Sequence, residues 1–141
     1  MVLVKPGELP ASDRASAWIR ALADFEGQAV AQQYAEAVHA SWLATTERWP
    51  DQAMAWFGLG NSAAVQGDQR KAREAFQRSL TLAPDHAPAR YNLAQLAAQD
   101  GDDCRALELI EPLLSHEQLG PRADSLKRQL FLHRAVDCPP R

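Results

Sequence analysis

Several things are scarce in this chain of 141 residues, and each shortage excludes a class of function. There are two cysteines, Cys104 and Cys138, too few for a disulfide-framework fold or a cysteine-rich metal site. The four histidines, His39, His86, His116 and His133, are scattered without the spacing of a ligand set, so no metal or other cofactor is expected. Long apolar runs are missing, and nothing approaches the roughly 18 consecutive apolar residues of a spanning helix, so no membrane insertion is expected. No export sequence is expected in the opening residues, because Val2-Leu3-Val4 is broken at once by Lys5-Pro6-Gly7-Glu8-Leu9-Pro10. Uninterrupted basic stretches are also lacking. Arg70, Lys71, Arg73 and Arg78 alternate with Asp68 and Glu74, and the net charge is −3, which describes a solvated mixed face and argues against nucleic acid.

What the chain has in abundance is itself. Residues 50–83 laid over 84–117 give the identities Pro50/Pro84, Asp51/Asp85, Ala53/Ala87, Ala55/Ala89, Leu59/Leu93, Ala63/Ala97, Ala64/Ala98, Gly67/Gly101, Asp68/Asp102, Ala72/Ala106, Glu74/Glu108 and Leu80/Leu114. Phe57/Tyr91, Gly60/Ala94, Lys71/Arg105 and Phe76/Ile110 match in character at the same offset. A period of about 34 residues is the length of one helix-turn-helix unit of a stacked repeat.

The spacing gives each matched residue a physical role. On a helix, Phe57, Gly60 and Ala64 share one face, and Trp56, Leu59 and Ala63 share the next. Small Gly60 and Ala72 let two antiparallel helices approach, at a cost of about 1 kcal/mol in helix propensity for the glycine. Gln66-Gly67-Asp68 and Asp100-Gly101-Asp102 read as the turns, with glycine in the left-handed conformation and Asp68 or Asp102 capping the following helix. Asp100, Asp102 and Asp103 do not make a calcium loop, since no bidentate glutamate follows at the required spacing. Pro84 closes one unit and Asp85 opens the next.

The flanks are helical too. With Ser12 as N-cap, a helix over 13–26 carries Ala17, Ile19, Leu22, Ala23 and Phe25, and a second over 28–48 presents Ala31, Ala35, Tyr34, Val38, Trp42 and Leu43 to cover the first clear unit. A closing helix over 122–136 is apolar at Pro121, Ala123, Leu126, Leu130 and Phe131, with Lys127 and Arg128 toward solvent. Pro112 is expected to kink the helix over 103–115 near Glu108 to Glu111. The resulting division is an extended lead at 1–11, a degenerate helical hairpin at 12–50, repeats at 51–84 and 85–118, a capping helix at 119–136 and a tail at 137–141.

Trp56, Leu59-Gly60, Ala63, Ala72, Phe76 and Pro84 together resemble the tetratricopeptide repeat, and the second copy keeps Leu93, Ala94, Ala97, Ala106 and Ile110 but has Arg90 in place of the tryptophan. The resemblance implies an all-α right-handed superhelix of antiparallel helical hairpins. It also implies a binding face made by the first helix of each unit: Met54, Phe57, Gly58, Asn61, Ala64 and Val65, then Pro88, Tyr91, Asn92, Gln95, Ala98 and Gln99. Phe57 and Tyr91 supply apolar area, and Asn61, Asn92 and Gln95 supply amides that pair with any extended backbone, so a peptide or partner protein is the expected ligand. Asn61 and Asn92 fall at two places of the carboxylate clamp found in chaperone-binding relatives. Phe57 and Leu126 stand where that clamp has cations, so its specificity is not carried over. Both asparagines serve equally well as hydrogen-bonded spacers within a stack.

Val2 to Pro10, Arg48-Trp49-Pro50 and Leu59-Gly60-Asn61 are similar to the junction in bacterial double-glycine cysteine peptidases that carry a C-terminal tetratricopeptide segment. That likeness implies catalytic residues upstream of Met1 and, for an exported peptidase, a place in the cell envelope or periplasm; without it a cytoplasmic location is the expectation. This chain itself has no nucleophile paired with a base, and Cys104 opens a repeat helix, so it is read as non-catalytic. A structural or self-associating domain is the alternative to a peptide binder. If the closing helix runs back along the helix over 103–115, Cys138 approaches Cys104; a disulfide and a reduced pair both remain open.

Overall fold

The computed structural model describes residues 11–28, 33–133 and 138. Its described residues form seven α-helices and a short 3₁₀ turn, and no strand. They fall into two compact units, residues 1–83 and 84–141. Residues 1–10 of the expected lead over 1–11 and most of the tail over 137–141 lie outside the described residues, as does Ala31, while Ala11 is helical and not extended.

Unit 1 contains α1 (Ala11–Glu26), α2 (Ala35–Arg48), α3 (Ala53–Val65) and α4 (Gln69–Leu82). Ile19, Val38, Trp42, Ala55, Leu59 and Ala75 form its buried cluster, with Leu22, Phe25 and Trp56 packed on the side. Trp18 Nε1 donates to Thr45 Oγ1 at 2.7 Å and Trp42 Nε1 donates to Glu26 Oε2 at 2.7 Å, so two indoles tie α1 to α2. His39 Nδ1 and Ser62 Oγ, 2.9 Å apart, tie α2 to α3, and Ser79 Oγ donates to the Ala53 carbonyl at 2.9 Å, tying α4 to α3. A Cβ built on Gly60 would lie 2.5 Å from the Phe76 ring, so the glycine lets that ring sit directly on the α3 backbone.

Unit 2 contains α5 (Ala87–Gln99), α6 (Asp103–Ile110), the 3₁₀ turn Glu111–Leu113 and α7 (Gly120–His133). Its core is made of small and branched residues: Ala89, Leu93, Ala94, Ala106, Leu109, Ile110, Ala123, Leu126 and Leu130. Cys104 and Cys138 form a disulfide with Cα atoms 5.4 Å apart, closing a loop of sequence separation 34. Lys127 Nζ lies 3.5 Å from Glu111 Oε2, linking α7 to the turn after α6.

The same turn occurs once in each unit. Gly67 and Gly101 both have φ of 81°. Gly67 N–H donates to Ala64 O at 3.0 Å and Asp68 N–H to Ala63 O at 2.9 Å, while Gly101 N–H donates to Ala98 O at 3.1 Å and Asp102 N–H to Ala97 O at 2.8 Å. This pair of hydrogen bonds satisfies carbonyls at the ends of α3 and α5. Asp68 Oδ1 then accepts from Lys71 N–H and Asp102 Oδ1 from Arg105 N–H, starting α4 and α6. Arg90, where the first copy has Trp56, makes the equivalent bond. Trp56 Nε1 donates to Pro50 O at 2.9 Å, and Arg90 Nη2 donates to Pro84 O at 3.0 Å.

Several expectations need correction. The second helix starts at Ala35 and not at Gln28, whose N–H is taken by Phe25 O in the turn that ends α1. Ser12 lies within α1, which begins at Ala11. The cap of α5, for which the sequence offered no candidate, is His86. Helix α6 stops at Ile110 because Pro112 has no N–H to continue the ladder, and the chain tightens into the 3₁₀ turn instead of kinking. Tyr34, Leu43 and Phe131 are exposed rather than buried, and Thr45 and Thr46 are buried instead; each threonine hydroxyl donates to a carbonyl of its own helix.

Candidate functional site

The expected binding residues sit on α3 in unit 1 and on α5 in unit 2. On unit 1, α1, α2 and α3 enclose a cleft of about 310 Å³ lined by Ile19, Ala23, Glu26, Gly27, Trp42, Met54, Phe57, Gly58 and Asn61. Met54, Phe57, Gly58 and Asn61 are thus brought together by consecutive turns of α3, as their spacing requires. Val65, farther along the same helix, is 80% exposed and is not part of the cleft.

Trp42 makes the cleft floor. It is 2% exposed and lies across Gly58, where a Cβ would come within 2.5 Å of its ring carbons. Any larger residue at 58 would push the indole out. The Phe57 ring meets Phe76 of α4 at 5.9 Å between centroids, with the planes at 46°, so one edge of the cleft is braced from behind. Met54, 46% exposed, is the adaptable apolar wall. Asn61 is half-buried and partnered within the protein. Glu26, half-buried at the end of α1, is the charged group of the lining, and one of its oxygens is held by Trp42.

On unit 2, Tyr91 and Asn92 are half-buried and Gln95 is exposed. Gln95 Nε2 donates to Tyr91 Oη at 3.3 Å, one turn apart on α5, and Asn92 is partnered. This strip offers an amide and a phenol at the surface of α5.

Sequence reasoning missed Glu26 and Trp42 as parts of the cleft. A signal for Trp42 existed: Trp42, Phe76 and Ile110 are spaced by the repeat period, and all three are buried. Nothing in the sequence pointed to Glu26, because its role depends on where the Trp42 indole nitrogen lands.

Among the described residues no group of three or more histidine, cysteine or acidic side chains could hold a metal ion, and no helix is long and apolar enough to cross a membrane. His39 pairs with Ser62, His86 accepts from Ala89 N–H at 3.3 Å, and His116 accepts from the N–H groups of Gln118 and Leu119.

Two tetratricopeptide repeat family models match the sequence, over residues 27–87 and 63–130. No curated protein matches it. Among solved structures, the type III secretion translocator chaperone SycD of Yersinia enterocolitica superposes with a TM-score of 0.75 at 14% identity, over 89% of this chain and 89% of that one. The same chaperone in complex with a peptide of the translocator YopD gives a TM-score of 0.72 at 14% identity, over 86% of this chain and 95% of that one. MamA gives 0.68 at 16% identity, over 94% of this chain and 86% of that one. The all-α helical-repeat fold is thus shared with these structures at low identity.

Proposed function

We propose, from the premise that this chain carries tetratricopeptide repeats, that it is a protein-interaction module binding an extended peptide or partner segment along the first helices of its hairpins. Phe57 and Asn61 would act in unit 1, and Tyr91, Asn92 and Gln95 in unit 2. The observation that carries this reading is the apolar cleft on α1, α2 and α3, at about 310 Å³ within the range that takes ligand groups, with an amide at its margin. The YopD peptide bound by the structurally similar SycD is in keeping with it.

The module performs no catalysis of its own. Support comes from the side chains that chemistry would need: both cysteines are joined to each other, and His39, His86 and His116 serve as hydrogen-bond partners within the fold. A structural or self-associating domain, appended to a cysteine peptidase or to another protein, is the second reading. Phe131 at 51% and Leu132 at 81% exposure on α7 favour it, since an exposed apolar pair suits a contact between copies.

Isotope-labelled protein titrated with a mixture of short random-sequence peptides, alongside light scattering, tests the choice. A peptide binder gives amide shifts at Phe57, Asn61, Tyr91, Asn92 and Gln95 that are lost in Met54→Lys and Asn61→Ala. A dimer with shifts confined to α7, and no response on α3 or α5, would overturn it.

A further inference from the structure

The lining of the unit 1 cleft is apolar except at two points, Asn61 and Glu26, and none of its described residues is Lys or Arg. Glu26 is the last residue of α1, at the negative end of that helix. One carboxylate oxygen accepts from Trp42 Nε1 at 2.7 Å, which fixes the group at the cleft margin. A carboxylate has about four acceptor positions, so this bond leaves it able to receive a further donor. The exposed Asp24 lies two residues earlier in the same last turn, and no basic residue occupies that turn. An apolar hollow with a fixed anion at its edge and no cation in its lining complements a particular ligand: an apolar side chain with a positive charge beside it.

We infer that the cleft takes one apolar side chain of an extended peptide whose adjacent residue is Lys or Arg, with Glu26 receiving the cation. The inference rests on the peptide-binding reading and adds its specificity. Trp42, held flat over Gly58, forms the floor against which the apolar side chain packs. Phe57 and Met54 flank it, and the basic neighbour reaches the open side of the Glu26 carboxylate. The chain's net charge of −3 acts in the same direction at long range.

The test uses short end-blocked peptides with Gly-Ser flanks and a central Leu-Lys, Leu-Gln, Leu-Glu or Ser-Lys pair. Titrations follow the Trp42 indole N–H and the Gly58 amide by nuclear magnetic resonance. Leu-Lys is expected to bind about fivefold tighter than Leu-Gln, the effect of an ion pair near 1 kcal/mol. Leu-Glu should bind more weakly still, and Ser-Lys should leave both resonances in place. Glu26→Gln keeps an acceptor for Trp42 but removes the charge, so Leu-Lys and Leu-Gln should become equal. Equal binding of all three leucine peptides to the unaltered protein overturns the charge specificity and leaves peptide binding standing. No movement of either resonance with any leucine peptide overturns both.

Discussion

The hairpins α3–α4 and α5–α6 follow one pattern and are fastened differently. In the first, Gly60 gives up its side chain so that Phe76 can lie on the backbone; in the second, the corresponding residues are Ala94 and Ile110, both fully buried. A bulky ring goes with a missing Cβ, and a smaller branched chain goes with a methyl group. The first hairpin adds a side-chain bond from Ser79 to Ala53 O, while the counterpart of Ser79 in the second is the apolar Leu113. Unit 2 also has a covalent tie, which joins the start of α6 to Cys138 beyond α7 and not to α5, and its α6 is cut short by Pro112. What is kept between copies is the turn, the capping aspartate and the donor to the proline carbonyl; what varies is how the two helices are locked.

The largest way to break the comparison is to remove the tie in unit 2. Closing a loop of sequence separation 34 stabilises by on the order of 3 to 4 kcal/mol in the chain-entropy account. Cys104→Ser with Cys138→Ser should therefore speed hydrogen exchange across α5, α6 and α7 strongly, and leave α3 and α4 close to unaltered. Mass spectrometry with and without reductant supplies the control, a gain of two hydrogens on reduction. Unchanged mass, or equal acceleration in both units, would show that the tie does not distinguish them.

Next in size is an exchange of one lock for the other. Gly60→Ala alone places a methyl group 2.5 Å from ring carbons of Phe76, a clash of about 1 to 3 kcal/mol offset in part by the roughly 1 kcal/mol that alanine contributes to helix stability. Phe76→Ile alone leaves a void over the glycine. The double variant rebuilds the pair found in unit 2, and a coupling of about 0.5 to 3 kcal/mol in its favour is expected from denaturant melts of the four proteins. Additive effects would mean that the two positions are independent, and the account of the lock would fail.

The sequence was legible wherever stacking demands a fixed residue type at a fixed offset. Gly67 and Gly101 must take positive φ, Ala72 and Ala106 must be small, and each was found from the repeat alone. The leading hairpin was harder to read because its identities have been lost while its phase has not: Trp42, Phe76 and Ile110 stay one period apart. The start of α2 differs from the expected Gln28 because Gly27 and Gln28 belong to the turn that ends α1, and the helix itself begins only at Ala35. Of the cleft, the α3 face was legible and the α1 margin was not, since Glu26 joins it only through a hydrogen bond between helices.

The smallest difference between the copies lies at the helix starts, and it depends on pH. Gln52 precedes α3 without a side-chain cap bond, whereas His86 caps α5 through Nδ1 to Ala89 N–H. Burial lowers the His86 pKa below the ordinary imidazole value, with the Asp85 carboxylate opposing in part. A folded value below the unfolded value of about 6.5 means the folded chain binds fewer protons. The cap's contribution is therefore present above about pH 6.5 and is lost as pH falls through the folded value. Protonation has a structural consequence too, because it removes the acceptor lone pair and sets a cation at a helix N-terminus. Exchange rates of α5 amides should rise more than those of α3 between about pH 7.5 and pH 5 once the intrinsic pH effect is divided out, by no more than the roughly 1 kcal/mol of a cap. His86→Asn keeps an acceptor that does not titrate, so the extra acid sensitivity of α5 should vanish while its protection at neutral pH persists. Were the variant as acid-sensitive as the unaltered protein, the proton would be acting elsewhere in unit 2, and the difference between the helix starts would be one of residue type alone.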